Sequence, residues 1–392
     1  MKDLERFFNI SIKGLLKSLF MYLNNLSILK SFNLVINFKG DIMRREKILQ
    51  NLKKRYDVVV IGGGITGAGV LHEASKMGLS CLLIEQKDFA FGTSSRSAKL
   101  VHGGLRYLKN GQIMTTLNSI SERERMLNYY KTLVKPIQFL VPVKTKSFRA
   151  LMKVGLSLYD IMAWRYSHQY YDPQNFSMLI PSMGENFENG GYSFLDAITD
   201  DAELVLKVIR EGVNEGGMAV NYMQFKEVVR EKESVTGIIA KDTLTEKTYQ
   251  IDAGVVINAT GIFADKIHNK VGKSEKLRSL RGSHLIFPNW RFPVSQAVSI
   301  MHPVDNRPLY ILPWKGHTLV GTTDIDHNSP LNEEPTITPD EGEYMLEALN
   351  HWFSDLDLSK EDELSTILSA VGEKKVQVFS IDRKFQQLGG YV

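Results

Sequence analysis

The chain has 392 residues, 43% hydrophobic and 23% charged, values that exclude a disordered or low-complexity protein and leave room for two ordinary domains or one large α/β domain. Its net charge of +4 comes from the first 55 residues, where twelve Lys/Arg stand against four Asp/Glu; the remainder carries −4, with no basic stripe interleaved with aromatics to suggest nucleic acid. A single cysteine, Cys81, excludes an intramolecular disulfide, fits a reducing intracellular compartment and lies in an apolar run that reads as core.

Residues 1–55 read as a basic N-terminal extension. Apolar residues at Leu15, Leu16, Leu19, Phe20, Leu23, Leu26 and Leu29 recur at roughly helical spacing. Lys17, Asn24, Asn25 and Lys30 interrupt them too often for a membrane span, and no small-residue cleavage site follows. Two readings stand: an amphipathic segment lying on anionic lipid, or residues ahead of a true start at Met43.

YDVVVIGGGITGAGVLHEASKMGLSCLLIEQKD follows. Tyr56 to Ile61 predicts a strand, Thr66 to Met77 a helix and Ser80 to Ile84 a second, buried strand. Gly62, Gly64 and Gly67 fill the G-x-G-x-x-G positions, which serve a tight turn, close approach to a pyrophosphate and close helix packing, with the phosphates at the helix N-terminus. Glu85 ends the second strand, where its carboxylate can accept from a ribose hydroxyl. FAD and NAD share this fingerprint; the irregular stretch after Glu85 favours FAD.

That stretch includes TSSRSAKLVHGGLRYLKNG, Thr93 to Gly111, where basic side chains, a His and a Tyr sit beside consecutive glycines that let backbone approach a ligand. Residues 112 to 170 read as mainly helical, with an amphipathic run from Phe148 to Trp164. Thr199 to Gly217 predicts a helix capped by Asp200 or Asp201, with Leu204, Val205, Val208 and Ile209 on one face and its charges as a solvated face. A three-stranded meander is expected between Met218 and Ile257, and VVINATGIFAD returns to the first sheet through a turn, Ala259-Thr260-Gly261, suited to backbone packing against the same cofactor. Residues 278 to 325 are strand-rich, with exposed-type polar residues Arg281, His284, Thr322, Thr323 and Asp324 at strand ends. No cluster has metal-ligand spacing, no G-x-S-x-G elbow occurs and no internal repeat is found.

GGGITGAG, FGTSSRSAKLVHGGLRYL, DDAELVL, NATGIFAD, RGSH, LYILPW and LVGTTD occur in the order and approximate spacing of the FAD-dependent glycerol-3-phosphate dehydrogenases. Over Tyr56 to Leu368 the chain resembles a bacterial member of that family. The resemblance implies an α/β fold of the D-amino-acid-oxidase type: a Rossmann-like FAD-binding domain interleaved with a β-sheet substrate domain. It implies oxidation of sn-glycerol 3-phosphate to dihydroxyacetone phosphate, with electrons passed through FAD to a membrane quinone. Alternatives are an oxidase passing electrons to oxygen and a non-catalytic remnant. Ser94, Ser95 and Lys99 fall where the family's loop contacts the flavin; His102, Arg106, Tyr107 and His284 fall at substrate-pocket positions, with the base left open between the two histidines. A cytoplasmic protein, peripheral on the inner face of the membrane, is expected.

The expected organisation is an extension (1–55), a first FAD-binding part (56–130), mainly helical substrate-domain elements (131–198), a second FAD-binding part with the meander (199–277), a substrate-binding domain (278–368) and a divergent tail (369–392). After Leu364 the family usually continues through Gly-(Leu/Val)-Arg-Pro-Leu, whose Arg enters the substrate site. LSTILSAVGEKKVQVFSIDRKFQQLGGYV carries no such motif. This departure reads as truncation or a reading-frame change, and predicts weak FAD retention and little turnover.

Overall fold

A computed structural model describes residues 34–36, 42–183, 188–232, 234–270, 277–327, 330–331, 333–363, 365–372 and 377–378. The helical spacing from Leu15 to Leu29 and residues 379–392 lie outside them. Two units divide the chain, Met1–Arg55 and Tyr56–Val392. In the first, β1 (Leu34–Ile36) and β2 (Ile42–Arg44) pair antiparallel and α1 (Arg45–Gln50) follows. Met43, read as a candidate start, lies within β2 opposite Val35.

The second unit begins in the strand, turn and helix expected of a dinucleotide fold: β3 (Arg55–Ile61), α2 (Ile65–Lys76) and β4 (Cys81–Ile84). β-Branched Val58, Val59 and Val60 favour the pleat and are fully buried. Then come β5 (Leu100–Val101), α3 (Leu105–Lys109), α4 (Ile113–Tyr129), β6 (Val134–Pro142), α5 (Lys146–Met162), β7 (Gln169–Tyr171), α6 (Pro173–Leu179), β8 (Gly191–Thr199) and α7 (Asp201–Asn214). Strands β9 (Met218–Val220), β10 (Met223–Glu231), β11 (Ser234–Asp242) and β12 (Thr248–Asn258) lead to α8 (Ala264–Lys270). The chain continues through β13 (Ser279–Pro288), β14 (Ala297–Met301), β15 (Pro308–Trp314), β16 (His317–Gly321), β17 (Ile325–Asp326), α9 (Pro339–Trp352), β18 (Ser365–Gly372) and β19 (Gln377–Val378).

Among the described residues these strands form two large sheets. The nucleotide sheet runs β10-β11-β12-β3-β4-β9, with β19 also on β12; β3, β4 and β9 are parallel and β10 to β12 are the expected antiparallel meander. Helices α2 and α7 pack together against it through Ala68, Leu71, Leu204, Val205, Val208 and Ile209. Each fully buried aliphatic side chain of this kind contributes about 1.5–3 kcal/mol. Cys81 is buried here and its thiol is pushed up to about 12, first by burial and then by Asp57, so it is core as expected.

The second sheet runs β17-β13-β16-β15-β14-β6-β8-β5, with β18 on β13 and β7 on β8. Leu285, Phe287, Ile311 and Val320 pack on one face with Trp352 of α9, while Phe139, Phe194 and Leu312 pack on the other with Ile120 of α4 and Leu156 and Tyr159 of α5. The segment read as mainly helical therefore contains β6, paired with β8 from Val134 to Pro142. Leu140 enters one core while Phe139 and Val141 enter the other, so VKPIQFLVP shows no polar alternation to mark it as a strand. The family departure in the tail does not coincide with a break in the sheet, since β18 stays paired with β13 from Ser365 to Gly372. No helix among the described residues is long and apolar enough to cross a membrane.

Candidate active site

The first half of the site is the glycine turn between β3 and α2. Gly62 has φ +113°, and a Cβ there would lie 2.4 Å from the Ala259 carbonyl oxygen; one on Gly67 would lie 1.9 Å from the Gly62 oxygen. The Gly62 turn and the Ala259–Gly261 turn thus close on each other at the ends of neighbouring strands β3 and β12, and the Ala259 amide donates to the Ile61 oxygen at 2.8 Å. Gly64 caps α2 without a side-chain bond, leaving the helix N-terminus to an anion. Ser94 reaches this end, its Oγ accepting from the Ile65 amide at 3.0 Å.

Glu85 directs its carboxylate to backbone: Oε2 accepts from Gly63 and Oε1 from Lys87, each at 2.8 Å. Burial raises its pKa, and the amides of Gly63 and Lys87 oppose that shift. Each carboxylate oxygen keeps a lone pair for a ribose hydroxyl. The residues therefore fit an adenine dinucleotide: a glycine turn closed to side chains at Gly62 and Gly67, a helix N-terminus where only the Ile65 amide is taken up, by Ser94, and an acid at the second strand's end.

The loop from Thr93 to Lys99 is held in place by hydrogen bonds within itself and to Asp201. Lys99, with φ +60°, is buried, and its amine donates to the Ser95 carbonyl at 2.6 Å and to Asp201 Oδ1 at 2.8 Å. Asp201 Oδ2 accepts from both Ser97 N and Oγ. Asp201 is thus a buried partner, not part of a solvated face; Asp200 is the cap, accepting from the Glu203 amide at 3.0 Å. Ser95 offers its hydroxyl to the Gly92 carbonyl at 3.4 Å.

The second half gathers around the N-terminus of α3. Gly104, at φ +79°, turns the chain so that His102, Arg106 and Tyr107 share one side. The His102 and Tyr107 rings are 5.8 Å apart, and the Arg106 guanidinium lies 5.0 Å from the Tyr107 ring centre and donates to its hydroxyl at 3.3 Å. His102 is exposed to solvent, but crowding by protein atoms first and the Arg106 charge second lower its pKa, keeping the imidazole neutral at neutral pH. Arg106 is held protonated, its pKa raised by Tyr107, Tyr310 and Asp324 against the opposing effect of burial.

Across the sheet, His284 on β13 and Tyr310 on β15 both pair with Gly321 of β16. Directly opposed residues point to one face, so the two rings flank the glycine, about 10 Å apart across two strand spacings. A Cβ on Gly321 would meet the His284 ring at 2.1 Å. Tyr310 was not singled out as a site residue; LYILPW marks its strand, but only the register with Gly321 and the Arg106 charge place it at the site. Arg281, Thr323 and His284, read as exposed-type, are all buried. Arg281 and Thr323 serve the opposite face, where Glu341 of α9 accepts from Arg281 Nη2 at 2.7 Å, Ser283 Oγ at 2.6 Å and Thr323 Oγ1 at 2.9 Å.

The family model described as FAD dependent oxidoreductase matches residues 57–371, from the first strand of the nucleotide turn to the end of β18. The chain belongs to this family. Within it, the chain is 35% identical to an aerobic glycerol-3-phosphate dehydrogenase of Bacillus subtilis over 338 residues, 84% of this chain and 60% of that relative. It is 34% identical to one of Staphylococcus haemolyticus, over 83% of this chain and 60% of that one. Among solved structures it is similar to the glycerol-3-phosphate dehydrogenase from Bacillus halodurans complexed with FAD, with a TM-score of 0.71, 29% identity, and 85% of this chain and 60% of that one covered. The chain therefore spans about three-fifths of the length of these relatives. The L-alpha-glycerophosphate oxidase from Mycoplasma pneumoniae shares the fold, with a TM-score of 0.66 at 16% identity, over 82% of this chain and 85% of that one.

Proposed function

We propose that this chain binds FAD in the Gly62–Gly67 turn and oxidises sn-glycerol 3-phosphate to dihydroxyacetone phosphate. FAD, when bound, supplies the acceptor for the hydride lost from C2. The gathering of His102, Arg106 and Tyr107 on one side of the Gly104 turn carries this reading, together with the similarity to glycerol-3-phosphate dehydrogenases. Arg106 grips the phosphate as a planar fork and Tyr107 adds a hydrogen bond. His102, held neutral, accepts the C2 hydroxyl proton as the carbonyl forms. His284, buried on the sheet beside Gly321, walls the far side of the pocket.

Arg106→Lys tests the phosphate role. The specificity constant for glycerol 3-phosphate should fall by the equivalent of about 1.5–3 kcal/mol, because a point charge replaces the fork, while FAD occupancy measured by visible absorbance stays unchanged. An unchanged specificity constant rejects the assignment.

The electrons leave to a membrane quinone, with attachment at an anionic membrane surface. Helix α5 supports this: its inner side packs Leu156 and Tyr159 into the core, while Leu151, Val154, Leu158 and Ile161 form an exposed stripe on the outside, continued by Trp164 at 97% exposure. A helix apolar on both sides has an outer face suited to a nonaqueous neighbour. Lys146 and Lys153 lie on the helix and Arg165 follows it, while its acid, Asp160, is buried against His168. Basic flanks, an apolar stripe and a terminal Trp are the chemistry of an interfacial helix on anionic lipid. The protein should float with phosphatidylglycerol vesicles and reduce a quinone analogue with little peroxide. Flotation unchanged in Leu158→Glu/Ile161→Glu rejects the α5 face, and stoichiometric peroxide favours the oxidase reading.

A further inference from the structure

Behind the His102–Gly104 turn lies a buried ionic cluster that the proposed chemistry leaves unused. Asp196 on β8 is 4% exposed, and its Oδ1 accepts the Gly103 backbone N–H at 2.8 Å and Arg123 Nη1 at 3.0 Å. The same Nη1 donates to the Tyr159 hydroxyl at 2.7 Å and the Leu195 carbonyl at 3.1 Å, while Nε and Nη2 of Arg123 reach Glu124 Oε1. Gly103 is required here for space, since a Cβ would lie 1.9 Å from the Tyr159 hydroxyl and 2.8 Å from Arg123 Nη1. Three elements, α4, α5 and β8, therefore meet on one amide of the substrate turn.

Stability is a poor reason for such a pair, because desolvating two charges offsets most of their attraction and an apolar replacement often does as well. A charge-assisted bond to a single loop amide fixes register instead. We propose that the Asp196–Arg123 pair positions the substrate turn: the carboxylate clamps the Gly103 amide, so that His102 on one side and Arg106 on the other face the same ligand. The inference rests on the reading of His102 and Arg106 as substrate-facing.

Electrostatics supports the geometry. After burial and Arg106, the Arg123 charge is among the causes that lower the His102 pKa. Burial raises Asp196 to about 6, against the pull of Arg123 and the Gly103 amide. The groups facing Asp196 are Arg123 from α4, Tyr159 from α5, the Gly103 amide and Tyr310 from β15, with Glu124 beyond Arg123 and Tyr159 and with Arg106 and Tyr107 beyond Tyr310. As pH falls through about 6, Asp196 loses the charge that clamps Gly103 and leaves Arg123 less compensated.

The test follows His102 by NMR titration of labelled imidazole in the FAD-loaded wild type, Asp196→Asn and Arg123→Gln. The His102 pKa should move down in Asp196→Asn, where Arg123 loses its counter-charge, and up in Arg123→Gln, where the cation itself is gone. The specificity constant for glycerol 3-phosphate in Asp196→Asn should fall about tenfold or more, as displacement of a positioned group does, with FAD occupancy unchanged. The double variant Asp196→Asn/Arg123→Gln leaves no buried unpaired charge, and it should place His102 between the two should either single variant fail to fold. Shifts of the same sign in both single variants, or a double variant with the wild-type specificity constant, would overturn the proposal. Opposite shifts of His102 combined with a signal indifferent to added glycerol 3-phosphate would keep the clamp and reject the substrate reading instead.

Discussion

The two glycine-lined turns of the site, Gly62–Gly67 and His102–Gly104, need their glycines for different reasons. In the first, backbone meets backbone: the atoms that forbid a side chain are the carbonyl oxygens of Ala259 and Gly62. In the second, Gly103 is hemmed in by side-chain atoms, the Tyr159 hydroxyl and Arg123 Nη1, delivered from two helices. Backbone oxygens held at the ends of two neighbouring sheet strands have little room to retreat, whereas side chains shift at a cost. The nucleotide turn is accordingly a fixed mould and the His102–Gly104 turn an adjustable one.

Gly67→Val tests the mould and should have the largest effect. Its Cβ would overlap the Gly62 oxygen at 1.9 Å, beyond what relaxation of a packed site absorbs. The purified variant should carry no flavin, read as loss of visible absorbance after incubation with excess FAD. Retained flavin would show that the turn gives way after all.

Gly103→Ala probes the adjustable turn, with a smaller and more selective result. Tyr159 and Arg123 must move, and the Asp196 bond to the Gly103 amide moves with them. Flavin content should match the wild type, while the specificity constant for glycerol 3-phosphate drops about a hundredfold, the scale on which a displacement near 1 Å acts. Loss of flavin in step with activity would erase the distinction between the two turns.

The smallest effect is expected on the face of the second sheet that packs against α9. Burial acts to raise Glu341, but hydrogen bonds from Ser283, Thr338 and Thr323 outweigh it and hold its pKa below the usual 4.5. A depressed carboxylate contributes stability above its unfolded pKa and loses that contribution as pH falls through the folded value. Glu341→Gln should therefore destabilise the protein by about 1.5–3 kcal/mol at pH 7, and the gap in Tm should narrow in acid below 4.5. A gap that widens in acid would contradict the sign. Asp196, on the other face, is shifted oppositely to about 6, so its stabilising contribution is present below 3.8 and is lost as pH rises to about 6.

What could be read in advance follows the same division. The strand, glycine turn and helix from Arg55 to Lys76 obey spacing rules that operate within a dozen residues, and the meander from β10 to β12 announces itself through alternation and polar turns. Strand β6 was read as helix because both of its faces are buried, which removes the period that separates the two structures. Asp201 was read as a surface charge because its partner Lys99 is 102 positions away. Arg281 and Thr323 were read as exposed because Glu341 reaches them only after α9 folds back over the sheet.

The sequence by itself determined the dinucleotide turn, the order of the motifs and which side chains the His102–Tyr107 turn carries, since glycine requirements and periodicity are properties of short stretches. The tertiary structure alone decided which charges are buried together and which ring faces which. His284 and Tyr310 flank Gly321 only through the register of three strands, and Asp196, Arg123 and Tyr159 meet the Gly103 amide only once β8, α4 and α5 pack. Such meetings depend on chain closures of tens of residues, and no local pattern records them.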